Sequence, residues 1–268
     1  MRVAVVIPCH RRIDLLSQAL RAVHGWPVVV VDDSPRGLAL PAGVEVARTP
    51  GEVGFARAVN LGLARVEALG ASHALVLNDD AVPAPGCIEA LIEAWGPDVG
   101  AAGPLIYASD GLESAGIEVA WWGRVRQRRS LGPARDAEAS ALRAGQPAEV
   151  QALSGAALMI AASRRFDEGY RHGFEDLALC RSLREQGLRV LLVPAGRVMH
   201  LGGGTLSRRS RAAQRYAVAG HLRYLDGGWR GGVAVGLAAA QVLREGGPGD
   251  RLLGVLDGVR DFRAGRSG

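Results

Sequence analysis

Three short apolar runs, each stopped by a polar cluster, limit what this chain can fold into. Val3 to Ile7 is continuous and Val-rich and ends at Pro8-Cys9-His10. Val28 to Val31 ends at Asp32-Asp33-Ser34-Pro35, and Ala74 to Leu77 ends at Asn78-Asp79-Asp80. Apolar runs of this length without alternation read as strands buried on both faces, as in a parallel sheet covered by helices. Between them Ile13, Leu16, Leu20 and Val23 recur at helical spacing, and Phe55 to Leu69 reads as a second helix. Val44 to Ala47 and Val99 to Ala102 add strands, and Pro85 opens a helix through Trp95. The expected class is α/β, with a ligand beyond the carboxyl ends of the strands, where the three polar clusters lie.

After residue 110 the pattern loosens. Ile117 to Trp122 and Val125 to Arg129 read as a hairpin around Gly123. Arg135 to Gly145 is polar and Ala-rich, and Ser154 to Ile160 is small and apolar. Glu175 to Gln186 is helical, with Gly187 placed to cap it. Arg189 to Val193 and Arg197 to His200 are read as two short strands, and Gly202-Gly203-Gly204 as a hinge. From Ser207 the chain is basic and helical through Leu225, then apolar and Gly-rich.

Composition narrows the function. The chain has 268 residues, 48% hydrophobic and 22% charged, which suits a folded protein rather than a disordered one. Its net charge is +5 and it contains no Lys, so every basic side chain in that sum is Arg. Arg forks suit anionic ligands, although biased codon usage is the plainer cause. Cys9, Cys87 and Cys180 form no CxxC pair, so neither a zinc site nor a disulfide framework is expected, and a reducing cytoplasm fits. No apolar run is long enough for a signal core or a membrane span. The arginines are dispersed and only 5% of residues are aromatic, which argues against nucleic-acid binding.

Five constellations can carry chemistry. Asn78-Asp79-Asp80 places hard oxygen ligands at a strand end, where Mg²⁺ or Mn²⁺ would share them with phosphates; the plainer reading is a turn. Asp32-Asp33 can meet a ribose hydroxyl or a base N–H, or simply close an Asp-Ser-Pro turn. Gly51 to Gly62 feeds a helix from a glycine-containing loop, with Arg57 and Asn60 near its first turns, as a phosphate site would need. It is neither GxGxxG nor a P-loop. Glu175-Asp176 starts a helix, which suits its dipole, but a carboxylate there could also take a proton from a hydroxyl. His200 precedes three glycines and could ligate a metal of the Mn²⁺ type.

In this order the pieces resemble the inverting family 2 glycosyltransferases of the GT-A fold, and most of all a rhamnosyltransferase-like subgroup of bacterial polysaccharide assembly. The matching stretches are Val5 to Pro8, Val30 to Ser34, Gly54 to Gly62, Leu77 to Asp80, Ser154 to Ala156, Phe174 to Asp176 with Leu179 and Arg181, and His200 to Gly203. The resemblance implies a GT-A domain over residues 1–205, with a mixed, mostly parallel sheet flanked by helices, and a C-terminal helical extension over 206–268. It implies that Asp33, with Asp32, Pro8, Cys9, His10, Arg57, Asn60, Asn78 and Asp79, serves the nucleotide donor. Asp80 and His200 would hold a divalent Mn²⁺ or Mg²⁺ on the diphosphate. Asp176, with Glu175 beside it, would be the catalytic base. Gly155, Trp121 and Trp122 would face the acceptor, with core packing the plainer role for the tryptophans. His10-Arg11 stands where the family usually has Tyr-Asn, and Ala178 where many relatives carry a second Asp.

The resemblance implies an inverting displacement of a nucleoside diphosphate by an acceptor hydroxyl, on a glycan, a lipid-linked or a small-molecule acceptor. Arg57, or an arginine in Arg208 to Arg211, would assist the leaving group. Two rivals differ in class. A sugar-nucleotide nucleotidyltransferase would need a Gly-rich, Lys-bearing first loop, which is absent. A non-catalytic nucleotide-sugar binding protein would need no base. The arginine-bearing apolar tail offers contact with the inner face of an anionic membrane or with a second subunit.

Overall fold

The computed structural model describes residues 1–10, 12–40, 43–131, 142–202, 210–245 and 249–266. The three apolar runs are strands β1 (Val3–Cys9), β2 (Val28–Asp32) and β4 (His73–Leu77), with β3 (Glu45–Arg48) beyond β2. They lie parallel in the order β3-β2-β1-β4, so the ends of β1, β2 and β4 reach the same edge. Beyond β4 the sheet continues through β11 (Ala157–Ala161), β6 (Val99–Ala108), β12 (Arg189–His200) and β10 (Ala148–Glu149). Four of the seven pairings along this path are parallel. The strand β11 runs antiparallel to both neighbours, which makes the sheet mixed.

Both faces are covered, which explains the unbroken apolar runs. Val6, Val31 and Val76 turn to α2 (Phe55–Ala68), while Val5, Ile7, Val30, Leu75 and Leu77 turn to the layer of α1 (Ile13–Ala22) and α3 (Cys87–Glu93). Burial of each such side chain contributes about 1.5–3 kcal/mol. Helix α2 lies on the sheet at Gly62, where a Cβ would collide with Val6 and Val31. Helix α3 begins at Cys87 after the left-handed Gly86, not at Pro85, and stops at Glu93 short of Trp95.

Two irregularities shape the site. The stretches expected as two strands are one, β12, whose pairing with β6 shifts between Val193 and Arg197, at Pro194-Ala195-Gly196. A bulge bends a strand without ending it, which sequence spacing does not show. The far half of β12 also pairs with the short β5 (Ala81–Pro83), in a register that sets His200 opposite Ala81. Next, β6 pairs with β7 (Gly111–Ser114) as Tyr107 to Leu112 and Ile106 to Ser114. Glu113 is the extra residue between these pairs.

The expected hairpin is present as β8 (Ile117–Val119) and β9 (Val125–Gln127), paired antiparallel around Gly123. Helix α4 (Glu175–Glu185) ends as expected. Gly187 has φ +78°, and the Leu188 N–H donates to the Leu183 carbonyl across the end of the helix. The tail is helical: α5 (Arg211–Tyr224), α6 (Gly228–Arg244) and α7 (Gly249–Arg266). Gly254 and Gly258 of α7 press on the Arg211 and Arg215 carbonyls of α5. No helix among the described residues is long and apolar enough to cross a membrane. Arg11, most of the Arg135 to Gly145 segment, Gly203 and Gly204, and Arg208 and Arg209 lie outside the described residues.

Candidate active site

The ends of β1, β2 and β4 open onto a cleft of about 850 Å³. Pro8, Cys9, His10, Asp33, Asn78, Asp79, Asp80 and His200 line it, along with Glu52, Phe55, Asp110, Glu113, Arg129, Arg171, His172 and Tyr216. Its six carboxylates outnumber its two arginines, so a negatively charged diphosphate entering here would need a cation for company.

Asp33 follows β2, and its carboxylate accepts from the Thr49 hydroxyl (2.6 Å) and from the Val53 and Gly54 N–H groups (2.9 and 3.3 Å). These bonds shape the loop into α2 while the residue still borders the cleft. His10 Nδ1 lies 2.8 Å from the Asp33 carbonyl oxygen and Nε2 lies 3.5 Å from Glu52. Glu52, at φ +52°, is held in the left-handed region. Burial next to Asp79 pushes the Cys9 thiol up, leaving it an apolar wall rather than a nucleophile. Burial also pushes Asp79 up, to about 6, against the lowering effect of the Cys9 hydrogen bond.

Asp80 and His200 meet through the β5–β12 register. His200 Nε2 is 3.1 Å from Asp80 Oδ1, and Nδ1 is 2.8 Å from Glu113 Oε2. These contacts, Asp80 first and Glu113 second, push the imidazole up to about 10. Asp80 is buried, and its Oδ1 makes no aligned hydrogen bond despite the short approach of the ring. A buried carboxylate facing a histidine nitrogen, with the other nitrogen tied to a carboxylate, is a fitting donor set for a divalent cation. Among the described residues no three His, Cys, Asp or Glu side chains form a complete cage. Diphosphate oxygens and water often supply the remaining ligands of such ions. Glu113 went unnoticed in the sequence, where the signal was one acid in a short strand, and the bulge that aims it arises only on pairing with β6.

Glu175 and Asp176 are not among the cleft-lining residues. Asp176 lies close to Phe55, which does line the cleft: a Cβ on Gly155 would touch both Asp176 and the Phe55 ring. The Gly155 and Leu177 N–H groups each donate to the Asp176 carboxylate at 2.8 Å. Glu175 is buried with Oε2 unpartnered, and burial and the Asp176 charge push it up to about 8. Burial raises Asp176 as well, and the Gly155 and Leu177 N–H donors oppose that rise. Phe174, at φ +74°, makes the turn into α4 and stacks on His221 of α5 at 4.8 Å between centroids. Strain of this kind persists only where surrounding contacts enforce it.

Other expected site residues fall elsewhere. Asp32 accepts from Ser34 N–H and hydroxyl (3.1 and 2.6 Å) and Leu38 N–H (2.8 Å) and pairs with Arg48, which is turn chemistry outside the cleft. Asn60 is buried in α2; its amide donates to the Phe166 carbonyl and accepts from the Phe166 N–H, so it clamps a loop rather than a ligand. Arg57 is exposed and paired with Glu168 at 3.2 Å, and Arg211 is paired with Asp257 at 2.7 Å. Trp121 is exposed at the tip of the β8–β9 hairpin, while Trp122 lines a separate cavity, so neither reaches the cleft. Helical and turn periodicity cannot reveal such commitments, because each partner is distant in sequence.

A sheet of this topology with this cleft at its edge is the GT-A fold. Residues 4–132, just under half of the chain, match the family model described as glycosyl transferase family 2. The crystal structure of GalNAc-T7 with UDP, GalNAc and Mn²⁺ superposes with a TM-score of 0.62 at 16% identity, covering 82% of this chain and 47% of that one. This chain thus spans about half the length of that protein. A197 from STIV gives a TM-score of 0.47 at 11% identity, over 76% of this chain and 87% of that one. No curated protein matches the chain by sequence.

Proposed function

We propose that the chain is an inverting glycosyltransferase that moves a sugar from a nucleoside diphosphate-sugar to an acceptor hydroxyl, in the rhamnosyltransferase-like manner of polysaccharide assembly in the cytoplasm. The observation that carries this reading is the convergence of Asp33, Asn78, Asp79, Asp80 and His200 on one cleft, with Asp176 near Phe55 in its wall. The GalNAc-T7 structure, with its UDP and Mn²⁺, supports a nucleoside diphosphate and a divalent cation for a fold of this kind.

Asp33, with Pro8 to His10, would receive the base and ribose. Asp80 and His200 would hold Mn²⁺ or Mg²⁺, and Glu113 would fix the His200 ring so that Nε2 faces Asp80. When bound, that cation supplies positive charge to the leaving diphosphate. The acceptor hydroxyl oxygen bonds to the anomeric carbon while the sugar–phosphate C–O bond breaks. Its electron pair leaves with the nucleoside diphosphate, and the hydroxyl proton passes to Asp176. The Gly155 and Leu177 N–H groups orient that carboxylate, and its partial burial keeps it basic enough to accept.

Calorimetry and turnover test the two halves separately. Asp80→Ala is expected to abolish the gain in UDP affinity that Mn²⁺ gives, with donor turnover lost alongside. Asp176→Asn is expected to bind UDP and Mn²⁺ normally but to turn over about 10²-fold more slowly or worse. Unchanged metal dependence in the first, or near-normal turnover in the second, removes that residue from its role. Pyrophosphate release from a nucleoside triphosphate would instead mark a nucleotidyltransferase.

A further inference from the structure

We propose that α6 and the tip of the β8–β9 hairpin form one face that docks on an anionic lipid bilayer. Trp121 at the hairpin tip is 79% exposed, and its ring lies 6.0 Å from that of Trp229, which is 61% exposed at the start of α6. Val233, Leu237 and Leu243 follow on α6, all exposed. At 100° per residue, Trp229, Val233, Leu237 and Leu243 fall within an arc of about 120°, with exposed Gly236 and Ala240 between them. The opposite side carries Gly231, Ala234 and Val242, which are buried against the rest of the molecule. A water-facing helix normally reverses this pattern and shows its polar side to solvent.

Charge selects the occupant. Neither residues 119–129 nor residues 228–244 contain an acidic side chain, whereas Arg124, Arg126, Arg230 and Arg244 lie in these segments. A second copy docked through α6 about a two-fold axis would set the arginines of this face against one another, while the neighbouring Glu245 is already paired with Arg251. An anionic bilayer offers what the face lacks: hydrocarbon for the stripe, an interface for the tryptophans, and phosphates for the guanidinium forks. Beside the hairpin a cavity of about 660 Å³ is lined by Trp122, Arg124, Arg126, Arg128 and Arg184. Glu118 holds Arg126 and Arg128 there, which leaves Arg124 and Arg184 to meet headgroups. Helix α6, with 17 residues, is about 25 Å long and would lie flat in the interface rather than cross it.

The face is mechanically joined to the proposed base. His221 of α5 lies 2.7 Å from the Gly123 carbonyl in the hairpin turn and stacks on Phe174, the residue before Glu175-Asp176. Resting on the glycosyltransferase reading, this placement would bring a lipid-carried acceptor to the catalytic edge from the membrane side.

Flotation of the full chain with phosphatidylcholine vesicles, with and without phosphatidylglycerol, tests the docking by itself. Binding is expected only with phosphatidylglycerol, and brominated acyl chains are expected to quench tryptophan emission. Trp229→Glu with Leu237→Glu should weaken binding about ten-fold or more, with the circular dichroism spectrum and UDP affinity unchanged. Should that variant fold poorly, Arg124→Gln with Arg244→Gln is expected to weaken binding and its salt dependence. Equal binding to neutral vesicles, no binding by the wild type, or full binding by both variants overturns the proposal. So does a wild-type dimer in sedimentation that Leu237→Glu dissociates, since the face would then belong to a second copy. Normal docking beside absent sugar transfer would fault the enzymatic reading alone.

Discussion

At the residue scale, the site depends on small numbers of hydrogen bonds placed where water cannot substitute for them. Glu113 illustrates this, since its Oε2 holds the His200 ring from behind. Carboxylates that orient a ligating histidine typically account for about 10–100-fold in metal affinity. Glu113→Ala is therefore expected to lower Mn²⁺ affinity in the presence of UDP by that order, read by titration calorimetry; unchanged affinity would leave Glu113 a packing residue. Glu175 makes a different prediction. Its folded pKa, about 8, exceeds its ordinary value of 4.5, so the native state holds the proton more tightly than the unfolded chain. Stability from this group is complete below about 4.5 and declines as pH rises through about 8. Glu175→Gln keeps the shape and removes the ionisation, so its melting temperature should fall less than that of the wild type across this window. Parallel melting curves would place the proton elsewhere. Glu175 and Asp176 look alike in sequence; the difference between them comes from which one receives the Gly155 and Leu177 N–H groups.

At the element scale, the strand ends position the chemistry and the glycines set how closely layers approach. Gly62 is a close contact between α2 and the sheet, touching Val6 of β1 and Val31 of β2. A Val there has no room, and overpacking of this kind costs about 1–3 kcal/mol or more. Gly62→Val is expected to lower the urea midpoint and, by lifting the start of α2, to loosen the Val53 and Gly54 N–H groups from Asp33. A variant as stable as the wild type would show that α2 can shift freely. Strand β12 teaches a related point. The sequence offers two short apolar segments around Pro194-Ala195-Gly196, and only their shared partner β6 makes them one bulged strand. The half beyond the bulge then carries His200 to Asp80, residues separated by nearly half of the chain. Asn60, Arg57 and Asp32, each plausible beside a donor, are instead occupied by Phe166, Glu168 and the 34–38 turn.

At the scale of the whole molecule, the helical tail is part of the site's support. Tyr216 of α5 lines the cleft, Gly220 packs against the Gly173 carbonyl, and His221 and Tyr224 sit on Phe174. Removing residues 206–268 would uncover these surfaces and Gly123 beneath Leu225. Losing several buried aromatic and aliphatic contacts at about 1.5–3 kcal/mol each is expected to lower the melting temperature by about 10 °C or more. A truncated chain that melts with the full one would show the sheet domain to be self-sufficient. The sequence alone determined the strand order's raw material: continuous apolar runs need two covered faces, and the polar residues that stop them must gather at one edge of a parallel sheet. It could also place the acidic clusters, because Asp and Asn end strands by local turn chemistry. Only the tertiary structure decided which acids face the cleft, that Glu113 stands behind His200, and that the tryptophans belong to an outer face. Those outcomes depend on register, bulges and partners far away in the chain, and periodicity over a few residues carries no record of them.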